Sequence, residues 1–380
     1  MVTLSNFEIA LPPHRLSQEE LKAWTLKRHL ASAMLGGTET EETLTRYEKI
    51  FDRYAVKSAL IGTRYFECPD ITQDIVAEGE IYGVNAGSPK GSSIGQRTKF
   101  YSERANGVLE NFYAESKPEL SHIVHVTCTG YRSPSPAQML VAKRGWGETV
   151  GVTHAYHMGC YAALPAIRIA EGLVSARVAR DNTPSLPNRV DIVHTEMCGL
   201  HMNPAARTPE QIVVQSLFAD GHVKYSVSPS GGEGLRVLAI KEAVLKDSDQ
   251  DMSWAPEDWG LQMNLSREVP DKIRGIIGKF FQDMASEAAL DPVALRRDAI
   301  FAIHPGGPKI IQAVQEAMEI TEEQTIYSRE VLRERGNMSS ATLPHVWAKI
   351  LATKPAKGTK IVSYAFGPGL TVFGAIFEVN

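Results

Sequence analysis

The chain has 380 residues, of which 43% are hydrophobic and 22% charged, proportions typical of soluble globular proteins that exclude a disordered, collagen-like or coiled-coil chain. This length predicts two or three packing units with a core that needs no disulfide or metal to stabilise it. The formal net charge of −4 argues against nucleic acid as the main partner, because phosphate binding requires a basic surface.

Four cysteines are present, and they form neither a CxxC pair nor a cluster with histidine at zinc spacing. We therefore expect reduced thiols and no metal site. The N-terminal segment lacks the basic start and apolar run of a signal peptide, and no apolar stretch reaches the roughly 18 residues of a membrane span. These features predict a cytoplasmic protein with no membrane partner.

Strand and helix patterns alternate along the chain, and a Ser-, Gly- and Pro-rich segment at 228–234 separates two groups of them. The first group comprises strands at 122–130, 149–156 and 189–197 and helices at 136–145 and 161–174, preceded by a loop-like segment at 83–97. The second comprises strands at 236–245 and 297–305, helices at 270–289 and 308–318, helical segments through 351, and two strands within 358–379. An α/β fold of two βαβ-rich halves, 1–230 and 231–380, with a mixed sheet in each, is therefore predicted.

Cys160 follows a strand pattern and opens a helix pattern in the segment HMGCYAALPAIRIAEG. The positive end of a helix dipole and free backbone N–H groups stabilise a thiolate, so this position predicts a lowered thiol pKa and a nucleophilic role. A buried structural cysteine is an equally good interpretation of this residue taken alone.

His304 ends a strand pattern in IFAIHPGGPKII, at the carboxyl end where functional residues concentrate in α/β sheets. Asn337 follows Gly336 ahead of a helix. A hydrogen-bonded loop histidine and a helix N-cap are the simpler interpretations of the two residues taken singly. With Cys160 they match either a cysteine peptidase or a condensing enzyme that loads an acyl group on cysteine. The mid-chain cysteine, without the C-G-S-C-W context of papain-like enzymes, favours the condensing enzyme.

Seven segments of the chain resemble the chalcone synthase-like type III polyketide synthases of the thiolase superfamily. They are TCTGYRSPS (127–135), HMGCYAALPAIRIAEGL (157–173), TEMCGLHM (195–202), QSLFADG (215–221), IHPGGPKI (303–310), GNMSSA (336–341) and FGPGLT (366–371). The resemblance runs from about residue 45 to the end of the chain. It implies a homodimer with a thiolase-like αβαβα layered fold made of two pseudo-repeated halves.

The resemblance also assigns site residues. Cys160 matches the nucleophile that holds the primer and the growing chain. His304 and Asn337 match the pair that decarboxylates malonyl-CoA, with a protonated imidazole and an amide NH₂ directed at the enolate oxygen; His304 is further expected to form an ion pair with the Cys160 thiolate. Phe218 matches a gatekeeping aromatic residue, for which a plain core phenylalanine is the alternative. The other expected cavity residues are Cys128, Thr129, Ser133, Cys198, His201, Trp254, Met263, Ser339, Gly367, Pro368 and Gly369.

Two of these cavity positions depart from the plant enzymes of the family. Trp254 in place of a small residue would remodel or divide the cavity. Cys198 in place of threonine is common in relatives that accept long acyl primers, and it favours an alkyl primer over coumaroyl. The segment 80–100 resembles an insertion that covers an entrance or joins the dimer surface; a mobile surface loop is the simpler interpretation.

The phosphates of CoA require a basic tunnel mouth. The segment KIFDRYAVKS (49–58) resembles the family's entrance segment and offers Lys49, Arg53 and Lys57, and Lys309 beside the HPGGP loop is a further candidate. A solvated helix face is the simpler interpretation of any single lysine.

The predicted function is that of an acyltransferase. It extends an acyl primer with malonyl-CoA and cyclises the product to an alkylpyrone or a resorcinol-type phenol, with CoA thioesters as substrates and no other cofactor. One alternative is a ketoacyl synthase III-like enzyme that performs a single condensation and has an acyl carrier protein as partner. A cysteine peptidase and a non-catalytic paralogue are further alternatives, and the intact trio of Cys160, His304 and Asn337 disfavours the latter.

Overall fold

The computed structural model describes residues 1–35, 40–114, 119–180 and 188–380. The strands of this part of the chain are β1 (Val2–Ala10), β2 (His14–Ser17), β3 (Thr63–Phe66), β4 (His122–Thr127), β5 (Gly151–Tyr156), β6 (Val190–Met197), β7 (Asp220–Pro229), β8 (Leu235–Val244), β9 (Met252–Pro256), β10 (Leu261–Leu265), β11 (Ile300–Ile303), β12 (Lys360–Gly367) and β13 (Thr371–Val379). The α-helices are α1 (Gln18–Leu35), α2 (Glu41–Tyr54), α3 (Ile94–Phe112), α4 (Pro136–Lys143), α5 (Ala163–Arg180), α6 (Pro209–Leu217), α7 (Val269–Glu287), α8 (Pro292–Asp298), α9 (Pro308–Met318), α10 (Ile326–Arg335) and α11 (Thr342–Ala352).

The elements predicted from residue 122 onward are present, most of them within a few residues of their predicted ends, although α5 continues to Arg180 and the sequence analysis missed α6, β7, β9 and β10. The strand predicted at 297–305 begins only at Ile300, because α8 occupies the chain as far as Asp298. Asp291 caps this helix by accepting hydrogen bonds from the backbone N–H groups of Val293 and Ala294 at 3.1 and 3.3 Å. The cap and a proline at the first helical position fix the helix start there.

Two mixed sheets repeat the same pattern of strands. In the first half the order is β1-β7-β6-β4-β5, and in the second it is β8-β13-β12-β11. The first two pairings are antiparallel in each half, and the β4–β6 and β11–β12 pairings are both parallel. A short antiparallel pairing of β1 with β8 joins the two sheets into one run of nine strands. Separate sheets were predicted, so this junction is a difference from the sequence-based expectation.

Three apolar clusters show how the layers stack. One contains residues of α3 and α4 with the outer face of the first sheet, and another contains residues of α7 and α9 with the outer face of the second. The cluster between them holds α5 and α11 together with residues of both sheets. The alternation of side chains along each strand supplies both faces; Phe301 belongs to an outer cluster and the adjacent Ala302 to the central one. The result is the predicted αβαβα order of layers.

The segment 80–100 is anchored to the body of the protein. Arg97 is fully buried and donates hydrogen bonds to the backbone carbonyls of Met202 at 3.0 Å and Lys90 at 2.8 Å. Ile81 and Tyr82 of the same segment are buried as well. A mobile surface loop was the simpler expectation, and these contacts correct it. The second half of the segment belongs to α3, which begins after a capping box of Ser93 and Gln96.

Candidate active site

Cys160 lies in the turn that leads from β5 to α5, and the backbone there leaves no room for a larger neighbour. Gly159 has a φ of +85°, and a Cβ atom at this position would lie 2.4 Å from Cδ of Pro368. The Cys128 thiol bonds both backbone groups of Gly159, because its Sγ accepts from Gly159 N–H at 3.0 Å and donates to Gly159 C=O at 3.4 Å. Pro368 and Cys128 thus fix the turn that presents the Cys160 thiol.

We expect a Gly159→Ala substitution to lower the rate of acyl loading by about 100-fold while the protein stays folded. A Cβ at a positive φ and against Pro368 forces the turn to shift, and a shift of about 1 Å at a reacting atom costs this much. The measurement is the acylation rate of Cys160 by mass spectrometry, with Gly172→Ala in α5 as the control, since a Cβ there meets nothing within 4 Å. An unchanged rate would contradict the role given to this turn.

Asn337 lies between α10 and the short 3₁₀ turn Ser339–Ala341, and its amide orientation is fixed. Its Oδ1 accepts from Ser339 N–H at 2.9 Å and from the Thr342 hydroxyl at 3.3 Å, which leaves the Nδ2 group to donate to the Cys160 thiol. Its backbone pairs with the segment around Phe218, because Asn337 N–H donates to Leu217 C=O at 3.0 Å. Asn337 therefore supports the local turn, but the N-cap interpretation is wrong, because the N-cap of the 3₁₀ turn is Met338.

His304 follows the last residue of β11 and is buried, with 1% of its surface exposed. Its backbone N–H donates to Tyr364 C=O at 2.7 Å. Neither ring nitrogen has a hydrogen-bond partner among the described residues. A buried imidazole with both nitrogens unpartnered is a costly arrangement that points to a ligand.

The protonation states differ from those expected from the sequence. Burial raises the pKa of the Cys160 thiol to about 12, against smaller lowering effects of hydrogen bonds from the Ser339 and Asn337 side chains. Burial also lowers the pKa of His304 to about 3. The predictions of a lowered thiol pKa, a protonated imidazole and an ion pair between them are therefore wrong for the free protein. The helix dipole acts weakly here because α5 begins only at Ala163, so desolvation dominates.

Glu196, which the sequence analysis missed, joins three parts of the site. Its carboxylate accepts from Cys128 N–H at 3.0 Å, from the Thr129 hydroxyl at 2.8 Å and from the Ser340 hydroxyl. Burial raises its pKa and these hydrogen bonds lower it. It stands in the quoted segment TEMCGLHM, but its contacts come from distant positions, so only the resemblance could have drawn attention to it.

Three small adjoining cavities, of about 20, 30 and 40 Å³, surround these groups. One cavity is lined by Cys160, His304 and Asn337 together, which brings the predicted trio to one space. Phe218 and Met263 line all three cavities, and Cys198 lines two. Phe218 therefore borders the cavity of the trio and both neighbouring cavities, and its role as a gatekeeper between the CoA tunnel and the cavity stays a prediction.

Trp254 lines two of the cavities. Its indole Nε1 donates to Cys128 C=O at 2.6 Å. The ring stacks on Phe218, with centroids 6.5 Å apart, and meets His201 edge-on at 5.5 Å. The two are the cavity next to Cys160 and a second cavity, whose wall includes the apolar Leu21 and Trp24 and the polar Arg64 and Gln211.

The remaining predicted cavity residues fall into two groups. The cavity beside Cys160 is lined by Cys128, Thr129, Ser339 and Pro368. The second cavity, with Leu21 and Trp24, is lined by His201. Ser133 is exposed, and neither it nor Gly367 nor Gly369 lines any of the three cavities. Gly367 instead packs under the Tyr161 ring, where a Cβ would lie 2.2 Å from it.

The four basic residues predicted to bind CoA are all exposed. Lys49 and Arg53 lie on α2, Lys57 lies in the turn that follows, and Lys309 lies at the start of α9, five residues after His304 in sequence. The Lys57 ammonium donates to the Asp52 carbonyl, and the Arg53 guanidinium lies over the Tyr54 ring. Their charges face solvent, which leaves their role in CoA binding a prediction.

Comparisons with known proteins now identify the family. The model described as "Chalcone and stilbene synthases, N-terminal domain" matches residues 10–228, and the corresponding C-terminal domain model matches residues 237–379. The chain therefore belongs to the chalcone and stilbene synthase family of type III polyketide synthases. Among curated proteins it is 25% identical to type III polyketide synthase C of Arabidopsis thaliana, over 97% of this chain and 93% of that protein.

Solved structures share the fold. PKS-I of the brown alga Ectocarpus siliculosus matches with a TM-score of 0.83 at 22% identity, over 100% of this chain and 98% of that chain. CsyB complexed with CoA-SH matches with a TM-score of 0.77 at 19% identity over the full length of both. The thiolase-like fold predicted from the sequence is confirmed, and the peptidase and ketoacyl synthase III-like alternatives are not favoured. Among the described residues, no helix has the length and apolar character needed to cross a membrane.

Proposed function

We propose that this protein is an acyltransferase that loads an acyl primer on Cys160 and extends it with malonyl-CoA. The single observation that supports this best is the cavity shared by Cys160, the unpartnered His304 imidazole and the Asn337 amide. In such a cavity the imidazole can take the thiol proton as the thioester enters, which generates the nucleophile only with substrate in place.

The chemical steps follow from these groups. The Cys160 sulfur attacks the primer carbonyl and expels CoA thiolate, which gives an acyl-cysteine. Malonyl-CoA then loses CO₂, and the N–H donors of His304 and Asn337 stabilise the negative charge on the enolate oxygen. The enolate carbon attacks the acyl-cysteine, a C–C bond forms and the Cys160 thiolate leaves. The extended chain is then a β-ketoacyl-CoA, and its transfer back to Cys160 expels CoA thiolate before the next round. Each complete round consumes one proton and releases CO₂ and CoA.

The primer and product belong to the same proposal. An alkyl acyl-CoA primer is supported by the apolar side chains Cys198, Leu21 and Trp24 in the wall of the second cavity that Trp254 lines. Cyclisation to an alkylpyrone or a resorcinol-type phenol would follow in the space beside Cys160. CoA itself would bind through Arg53, Lys57, Lys49 and Lys309, and the structural likeness to a CoA-bound protein supports this route. No cofactor besides the CoA thioesters is required by these steps.

A homodimer is also proposed. Strand β5 is the free edge of the first sheet, and most of its residues are exposed or half-buried. An exposed strand edge offers unpaired backbone groups that a second copy can pair. The exposed Ser133 lies near this edge in sequence, so a partner would cover it. The molar mass in solution tests this part, and a cytoplasmic location fits four cysteines that are all unpaired.

The test of the function is incubation with malonyl-CoA and a panel of short, long and aromatic acyl-CoA primers. We expect pyrones or resorcinols, identified by mass spectrometry, with a preference for alkyl primers. The control is Cys160→Ala, in which every product should vanish. Acylation of Cys160 without extension would point instead to a single-condensation enzyme supplied by a carrier protein, and no acylation at all would contradict the proposal.

A further inference from the structure

A hydrogen-bonded cluster beside the Cys160 turn has no part in the chemistry described above. It consists of Tyr131, which follows β4, His157, which follows β5, and Trp254 of β9. These segments are far apart in sequence, and their side chains meet around the backbone carbonyl of Cys128. Cys128 is also the residue whose thiol bridges Gly159.

Two side chains meet at the Cys128 carbonyl. The Trp254 indole donates to it at 2.6 Å, and the Tyr131 hydroxyl lies 3.2 Å from the same oxygen. The hydroxyl has a single proton, so it donates either to this oxygen or to His157 Nδ1.

His157 closes the cluster. Its Nδ1 is hydrogen-bonded to the Tyr131 hydroxyl, and the two rings meet edge-on with centroids 5.1 Å apart. Burial lowers the pKa of His157, while the Trp254 backbone carbonyl acts as a hydrogen-bond acceptor and raises it. The imidazole thus connects the Tyr131 hydroxyl to the backbone of the strand that holds Trp254. Its φ of +59° is uncommon for a residue other than glycine.

The position of Trp254 decides how the cavities connect. Its indole lies against Phe218 and His201, and it lines both the cavity beside Cys160 and the second cavity with Leu21. An acyl chain that passes from Cys160 into the second cavity therefore runs beside this ring. Any contact that holds the indole in place therefore limits chain length.

We propose that Tyr131 and His157 are positioning residues that hold Trp254 across the cavity and so limit the length of the acyl chain that Cys160 accepts. The proposal rests on the proposed function, because a primer on Cys160 gives the partition a substrate. Neither residue touches the reacting atoms. Their loss is expected to change which primers are used rather than whether the chemistry proceeds.

The test compares Tyr131→Phe and His157→Gln with the wild type. The readout is the ratio of Cys160 acylation rates with lauroyl-CoA and butyryl-CoA. Each variant should shift this ratio toward lauroyl-CoA by about fivefold, the effect expected from the loss of one hydrogen bond. The matched control is His154→Gln, an exposed histidine of β5 whose ring bonds Ser135 instead; its ratio should stay unchanged. An equal shift in this control would attribute the effect to the strand edge and overturn the proposal.

A second measurement separates positioning from general damage. Trp254→Phe removes the indole donor to Cys128. If Tyr131 acts through Trp254, the Tyr131→Phe substitution should add little to the ratio in the Trp254→Phe background. Fully additive effects, or an unchanged ratio in both single variants, would overturn the proposal.

A probe that needs no acyl transfer distinguishes this proposal from the proposed function. The rates at which N-dodecylmaleimide and N-ethylmaleimide alkylate Cys160 are compared by peptide mass spectrometry. A shift toward the long reagent in Tyr131→Phe supports the partition even if the wild type makes no product from malonyl-CoA, in which case only the proposed function fails. The absence of a shift with this probe contradicts the partition.

Discussion

Replacement of Cys160 by alanine is expected to abolish acyl loading and to lower product formation by at least about 10³-fold, as loss of a covalent nucleophile does. Of the four cysteines, Cys160 alone lines the cavity with His304 and Asn337. Cys128 uses its sulfur to bridge the Gly159 peptide, and Cys198 faces the neighbouring cavities. The geometry therefore leaves one thiol for the chemistry.

The loading assay is the mass of the intact protein after incubation with an acyl-CoA. Cys198→Ala is the matched control, because it removes a second buried thiol near the cavity and should keep the acyl adduct. Loading that disappears in Cys198→Ala and persists in Cys160→Ala would overturn the choice of nucleophile. Loss of loading in both would indicate damage to the shared cavity wall, which the thermal unfolding midpoints would reveal.

The second large effect is a steep loss of stability in mild acid. Burial lowers the pKa of six histidines well below 6.5, to between about 3 and 4 where a value is given. They are His29, His125, His194, His201, His304 and His345. The unfolded chain binds these protons first, so the free energy of unfolding falls as the pH drops below about 6.5.

Two buried acids oppose this effect. Burial raises the pKa of Asp220 to about 8 and also raises that of Glu196. The folded state binds the proton of each acid more tightly than the unfolded chain does, so the contribution of these acids to the free energy of unfolding grows as the pH falls. The six bases outnumber the two acids, so unfolding takes up protons in mild acid and the free energy of unfolding falls as the pH drops below about 6.5. Each net proton contributes at most about 1.4 kcal/mol per pH unit.

The measurement is urea denaturation at pH 7.5, 6.5 and 5.5, with the midpoint expected to fall sharply in the last step. The His345→Gln substitution removes one buried base. In the wild type, His345 Nε2 has no hydrogen-bond partner within the described residues. The slope should become shallower by about 1.4 kcal/mol per pH unit. A midpoint that is constant between pH 7.5 and 5.5 would contradict the neutral state assigned to these histidines.

The strands and helices that were predicted after residue 122 have strong local signals, whereas α6, β7, β9 and β10 were missed. Strands such as β4 and β6 are rich in β-branched residues, and α9 begins and ends at the predicted residues. Before residue 122 the sequence analysis predicted no strand or helix, although β1 joins the two sheets. A junction of this kind depends on partners more than 200 residues away in sequence, which periodicity does not reveal.

The site was predictable where the motif itself contains the chemistry, as at Cys160, His304 and Asn337. The roles of Tyr131 and His157 were not, because each becomes informative only through its contact with the other and with the Cys128 carbonyl. The thiol pKa was predicted in the wrong direction for a related reason. A helix dipole can be read from the chain, whereas burial by distant segments requires the structure.

The backbone pairing between Phe218 and Asn337 has a consequence for how this enzyme can diversify. Asn337 N–H donates to Leu217 C=O at 3.0 Å, and Ala219 N–H donates to Asn337 C=O at 2.8 Å. Substitutions at Phe218 that move its main chain will therefore displace the Asn337 amide, which we propose stabilises the enolate, so selectivity and turnover should change together there. Trp254 contacts the site through a side-chain hydrogen bond to the Cys128 carbonyl. Substitutions at Trp254 can therefore change the substrate range while turnover is preserved.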